Sequence, residues 1–110
     1  MPLHKSLLAE FLGTFFLCFA GIAAILSTAA PISNGAGIVG VALAHGLALS
    51  VAVNAFGGIS GAHFNPAVTV GLLTVGKINP GTAIAYIVTQ IAGSFAAAGV
   101  CLVGFQISCI

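Results

Sequence analysis

Charge is what this chain most lacks. Of its 110 residues only Lys5, Glu10 and Lys77 are charged, 3% in all, against about 25% in a soluble domain. Residues 11–76 contain no Asp, Glu, Lys or Arg. No water-facing surface can be assembled from such a stretch, and the sequence reads as an integral membrane protein. Aspartate is missing altogether, so there is no acid pair. No nucleophile stands with a base and an orienting group, which argues against an enzyme. A net charge of +1 without a basic patch excludes a nucleic-acid partner. Cysteine is scarce too. Cys18, Cys101 and Cys109 are odd in number and lack metal-ligand spacing, so neither a metal nor a cofactor is expected. The first two fall in apolar runs, where a thiol behaves as a small hydrophobe.

Long apolar runs fill the chain instead. The first covers residues 7–27, which at about 1.5 Å per residue reaches roughly 30 Å, a bilayer core. A cleaved leader peptide is the competing reading, but an acidic Glu10 inside the apolar region is foreign to such peptides. A short connection with Pro31, Ser33, Asn34 and Gly35 precedes a second span over 37–56, closed by Gly57-Gly58. Ala42, Gly46 and Ser50 recur at four-residue spacing there and predict a face for tight helix packing. A third span covers 82–105. Tyr86 near its start is expected to be an interfacial ring, and Gly93, Ala97 and Cys101 form a second small-residue face.

Between the second and third spans lies a stretch of another kind. Ser60-Gly61-Ala62-His63-Phe64-Asn65-Pro66-Ala67-Val68-Thr69 combines a free backbone at Gly61 with an N-cap residue at Asn65. Pro66 suits the first helical position. The apolar pattern that follows ends by Val75, before Gly76-Lys77-Ile78-Asn79-Pro80-Gly81. A helix over 65–75 reaches about 15 Å, half a membrane. It is too short to span and too apolar for an aqueous loop, so it reads as a re-entrant half-helix. The fold expected is all-α and transmembrane, one membrane domain over 1–110 with three spans and a half-helix. Lys5 and Lys77 are separated by two spans and one return, so both lie on one side. The positive-inside rule makes that side, and the N-terminus, cytoplasmic.

Irregular backbone at membrane depth survives only against protein or a watery cavity. The half-helix start offers unpaired N–H groups and a partial positive charge. Asn65 adds an amide donor, and Gly61–Phe64 add consecutive carbonyl acceptors. Together they suggest a polar track for a small neutral solute that disfavours cations. A buried kink with no transport role is the alternative at this level.

The ten-residue stretch resembles the first Asn-Pro-Ala loop of the aquaporin (major intrinsic protein) family. The likeness extends to Ala9-Glu10-Phe11-Leu12-Gly13-Thr14 and to Tyr86-Ile87-Val88-Thr89-Gln90. The resemblance implies a passive channel for water and small neutral solutes such as ammonia, urea, peroxide or glycerol. It is built from two inverted repeats whose half-helices meet at mid-membrane. By that resemblance Asn65 is the pore asparagine, Pro66 starts the half-helix and Ala67 packs at the junction. The carbonyls of Gly61, Ala62, His63 and Phe64 would line the cytoplasmic half of the pore, the His63 side chain supporting the loop. Glu10 and Gln90 would brace the loop backbone. His45, twenty residues before Asn65, falls on the family's selectivity-filter position. Water-selective members commonly carry Phe there and glycerol facilitators Trp, whereas His resembles the plant vacuolar-membrane type. A histidine merely packed between helices is the competing reading.

The chain departs from the family in carrying the first repeat only, without the second Asn-Pro-Ala loop and its arginine. It is therefore expected to be a truncated or half-length channel that conducts poorly alone, unless two copies pair antiparallel. The partners expected are the bilayer, the solute and other copies of the chain, tetrameric in the family, in the plasma membrane. Two further readings stay open. One is a small multidrug-type proton-coupled exporter, which shares a first-span glutamate but needs four full spans; the other is a non-conducting fragment.

Overall fold

The structure, a computed structural model, describes residues 2–29 and 37–108. The expected connection at Pro31, Ser33, Asn34 and Gly35 lies outside these residues, as does Cys109. Four helices follow in order: α1 (Leu3–Ala29), α2 (Gly37–Ser60), α3 (Pro66–Thr74) and α4 (Pro80–Ser108). Three of them are long and apolar enough to cross a membrane, over Leu3–Thr28, Gly37–Ser60 and Pro80–Phe105. At nine residues, α3 is about 13 Å long and covers less than half of a bilayer core.

Helix boundaries differ from the sequence reading where a single residue decides them. Gly57-Gly58 was expected to stop the second span, yet α2 runs on to Ser60. A glycine inside a helix costs only about 1 kcal/mol, and the tertiary bonds at Ser60 exceed that. Gly61 is the true terminator: its φ of 87° leaves the right-handed region, and its N–H closes the last turn on Gly57 O at 3.0 Å. The first helix starts at Leu3 rather than at residue 7, because the Pro2 carbonyl accepts from the Lys5 and Ser6 amides at 3.1 and 3.2 Å. The last starts at Pro80 rather than residue 82, with Asn79 as its cap and its Oδ1 accepting from Thr82 N at 2.9 Å. Asn65 is the cap of α3, not its first helical residue.

α1 is the central helix and packs on both α2 and α4. Contacts along the seams set the directions. Glu10 meets Gln90, Gly93 lies against Phe11 and Thr14, and Cys101 Sγ approaches Phe19 O at 3.8 Å, so α1 and α4 run parallel. Ser6 meets Ile59 while Gly21 meets His45, so α2 runs antiparallel to both. Lys5 and Lys77 consequently stand at the same end of the bundle.

The Gly93, Ala97, Cys101 face packs as expected. All three are buried, and a Cβ on Gly93 would stand 2.9 Å from Phe11 O. The Ala42, Gly46, Ser50 face does not. All three are exposed, and a Cβ on Gly46 would meet nothing within 4 Å. The packed stripe of α2 is instead rotated onto Ala48 and Ala52, which are 4% and 1% exposed. Small residues occur on several sides of this helix, so spacing alone did not select the side that α1 covers.

Candidate functional site

The site is the turn between α2 and α3, residues 61–65, and the reason it holds its shape lies in α1. Ala62 and Phe64 have φ of 57° and 55°, a region that costs a residue with a Cβ about 1–3 kcal/mol. Such a backbone persists only where its surroundings over-determine it. Glu10 does so. Its side chain is fully buried and its carboxylate accepts four hydrogen bonds. Oε2 takes the Ser60 hydroxyl at 2.6 Å and the His63 amide at 3.1 Å. Oε1 takes the Phe64 amide at 2.9 Å and Gln90 Nε2 at 2.7 Å. A buried charge is tolerated when its lone pairs are used in this way.

These bonds also orient the opposite edge of the chain. In a trans peptide unit the N–H and the preceding C=O point in opposite directions. With the His63 and Phe64 amides aimed at Glu10, the carbonyls of Ala62 and His63 must face away from it. The Ala62 amide, held by Ser60 Oγ at 3.2 Å, turns the Gly61 carbonyl outward by the same rule. Donors face the protein and acceptors face away from the brace.

A second layer locks the first. Gln90 Nε2 bridges Glu10 and Thr69 Oγ1, the latter at 3.0 Å, and His63 Nδ1 stands 2.9 Å from the same hydroxyl. The His63 ring is thus buried support for the loop, edge-on to the Tyr86 ring at 5.0 Å. Tyr86 is not the interfacial ring that its place near the helix start suggested. It is 5% exposed and its hydroxyl donates to Ser60 O at 2.8 Å. Ser6 Oγ likewise donates to Ile59 O at 3.1 Å. The Phe64 ring fills the notch at Gly13, where a Cβ would stand 2.0 Å from its Cε1.

Tyr86, Ser6, Ser60, Thr69 and Gly13 were not singled out as site residues by sequence reasoning. A signal for some of them was present. Tyr86 stands four residues before Gln90, and Ser6 four before Glu10, which places each pair on one helix face. Removing only the Tyr86 hydroxyl leaves the Ser60 carbonyl unpaired at a helix end. Tyr86→Phe is expected to cost about 1 kcal/mol, read as a lowered midpoint of thermal unfolding in detergent.

Beyond the loop, Asn65 caps α3 with extended backbone (φ −156°, ψ 128°). Its Oδ1 accepts from Ala67 N at 2.8 Å, which commits the oxygen and leaves the Nδ2 donor for the outside. Asn65 and Ala67 are exposed and Pro66 is half-buried. Beside them lies a cavity of about 180 Å³ lined by Thr14, Cys18, Phe64, Asn65, Pro66 and Gln90 among others. Thr14 Oγ1 and Gln90 Oε1 are buried without a hydrogen-bond partner among the described residues.

His45 is not part of this constellation. It sits fifteen residues before Ser60 on α2, about 22 Å along the axis. Its Nδ1 lies 2.8 Å from Val41 O. The Nε2 end of the ring rests on Gly21, where a Cβ would come within 2.3 Å, and the residue as a whole is exposed. No cluster of three or more His, Cys, Asp or Glu suited to a metal occurs among the described residues.

The profile of the family described as Major intrinsic protein matches residues 1–108. The chain belongs to the major intrinsic protein family. It is 46% identical over 96 residues to Aquaporin Z of Photorhabdus laumondii, covering 87% of this chain and 42% of the relative. It is 47% identical over 93 residues to Glycerol uptake facilitator protein-like 6 of Lactiplantibacillus plantarum, covering 84% and 40%. Aquaporin Z of Brucella melitensis gives 46% over 96 residues, again 87% and 42%. The chain thus spans about two-fifths of the length of the curated relatives it matches. Membership and three apolar helices make it an integral membrane protein.

Proposed function

We infer that the chain supplies one half of a passive channel for water and small neutral solutes. The observation that carries this reading is the division of polarity in residues 60–65. The Ala62, His63 and Phe64 amides are tied to Ser60 or Glu10, and the Gly61 amide closes on Gly57 O. That leaves the Gly61, Ala62, His63 and Phe64 carbonyls and the Asn65 Nδ2 as groups available to a passing solute. A water molecule needs both an acceptor and a donor to move without losing hydrogen bonds, and this edge offers both. The relatives, an aquaporin and a glycerol uptake facilitator-like protein, support the same class of solute. In this reading Glu10 and Gln90 brace the loop, and His45 sets selectivity further along α2. Pro66 and Ala67 meet an opposing half-helix.

The unpaired Thr14 and Gln90 oxygens beside Asn65 favour a polar neighbour at that junction, since a buried unpaired group costs about 1–3 kcal/mol. A complete pore therefore needs a second half-helix, and a tetramer of such pores is the assembly proposed. Orientation follows the two lysines, with the N-terminus cytoplasmic in the plasma membrane.

Stopped-flow light scattering on proteoliposomes tests the reading. The chain is joined to the C-terminal half of the Photorhabdus relative, and osmotic shrinkage is compared with that of empty vesicles. The expected result is rapid shrinkage that Asn65→Leu slows at least about ten-fold, the loss of one fixed donor worth about 1.4 kcal/mol. A folded, inserted chimera with no more than lipid permeability would overturn it.

A further inference from the structure

We propose that Gly21 on α1 is a specificity-determining residue: it is the seat that holds the His45 imidazole back against α1, which keeps the passage beside the ring open to neutral solutes larger than water. The inference rests on the reading of His45 as the selectivity residue and deepens it. Two contacts fix the ring. Val41 O lies 2.8 Å from Nδ1; a carbonyl can only accept, so Nδ1 carries the proton and Nε2 of the neutral ring is an acceptor. The Nε2 edge rests in a notch at Gly21, itself a buried residue. A Cβ there would stand 2.3 Å from Nε2 and 2.8 Å from both Cδ2 and Cε1, so the ring fills the space of the missing side chain. Only glycine admits it. Gly21 lies eleven residues after Glu10, about three turns along the same face of α1 and about 16 Å further on. One stripe of α1 thus positions the acceptor loop through Glu10 and the His45 ring through Gly21.

A methyl group at position 21 cannot share the notch, and what yields to it decides its effect. Parting α1 from α2 would loosen the packing at buried Ala48 and Ala52, where many dispersion contacts are lost at once. Moving the ring gives up one hydrogen bond to Val41 O, at an exposed residue whose nitrogen finds water or solute instead. The ring therefore moves. It swings away from α1 into the space on its open side, where the solute passes if His45 sets selectivity. Gly93 is a different case, since a Cβ there meets the Phe11 carbonyl at 2.9 Å and a helix backbone cannot turn aside.

The chimera with the Photorhabdus C-terminal half, in proteoliposomes, serves for the test. Stopped-flow scattering gives its permeability to water, formamide, urea and glycerol, and the ratio of solute to water permeability does not depend on how many channels fold. For the largest solute that the unsubstituted chimera passes, Gly21→Ala is expected to lower this ratio about five-fold, an added barrier of about 1 kcal/mol. His45→Ala removes the ring, so adding Gly21→Ala to it should change the ratio no further. A ratio that Gly21→Ala leaves alone while His45→Ala shifts it overturns the seat and spares the role of His45. A loss that persists without the ring overturns the seat too, as does an unsubstituted chimera that passes water but no formamide. A ratio that neither substitution moves overturns the role of His45 and the seat together, and a chimera that passes no water ends the channel reading and the seat with it. In the full chain by itself, nitrogen-15 spectra of the imidazoles should show His45 protonated at Nδ1 and losing that preference in Gly21→Ala. A ring that keeps it overturns the seat.

Discussion

Glu10→Leu destabilises the protein by about 3–5 kcal/mol, the cost of stranding the buried donors that its carboxylate holds. Two effects oppose each other in that substitution. Leucine relieves the burial of a carboxylate, which favours the variant. It also strands the donors of Ser60, His63, Phe64 and Gln90, which now touch hydrocarbon, at about 1–3 kcal/mol apiece before relaxation. The stranding wins because four groups lose one partner. It further releases Ala62 and Phe64 from their left-handed backbone, so the loop relaxes toward ordinary geometry and the carbonyl edge is lost. Glu10→Gln is expected to act in the same direction with a smaller effect. Its amide presents N–H groups where two donors already converge, while its one oxygen still serves the other pair. Chemical unfolding in mixed micelles measures the loss. Amide exchange at His63 and Phe64 shows whether the loop opens before the helices do.

Gly13→Ala carries the second large effect, and its sign makes it diagnostic. In an ordinary helix, replacing glycine by alanine stabilises by about 1 kcal/mol. At Gly13 the new Cβ would stand 2.0 Å from Phe64 Cε1 and 2.5 Å from its Cδ1 and Cζ. The ring cannot swing aside cheaply. Phe64 is 3% exposed, its amide is bonded to Glu10, and its ring meets Phe56 edge-on at 6.3 Å. The expected outcome is a net loss of about 1–3 kcal/mol, as for overpacked cores. Residues 61–65 should shift with it. Gly46→Ala is the control, since a Cβ there meets nothing within 4 Å, and it should stabilise. Phe64→Leu combined with Gly13→Ala should recover part of the loss, and a double-mutant cycle reads the coupling.

Both expectations rest on contacts between segments far apart in sequence, and that is where reading the sequence stopped. The re-entrant helix was legible because Asn65-Pro66 is a start signal and Gly76–Gly81 a stop, with too few residues between to cross a membrane. The three spans were legible from apolar length alone. Glu10 stood out because an unpaired acid in hydrocarbon is costly, and Gln90 through the family likeness. Tyr86 was misread, since a tyrosine one turn into a span looks the same whether it faces lipid or a neighbouring helix. The Ala42, Gly46, Ser50 face was misassigned for a related reason: in a helix rich in small residues, periodicity does not say which stripe is covered. Nothing in the sequence announces that Gly13 is a notch for Phe64, because that needs the relative height of α1 and the loop.

The central claim is that the Glu10 carboxylate holds the loop amides and so turns the carbonyls outward. Solid-state NMR in lipid bilayers tests it most directly, using chain labelled with carbon-13 at Glu10 Cδ and nitrogen-15 at Phe64. The structure has the Phe64 amide nitrogen 2.9 Å from Glu10 Oε1, so strong dipolar recoupling between the two labels is the expected result. A protein whose helices are intact but whose labels show no measurable coupling would contradict the account.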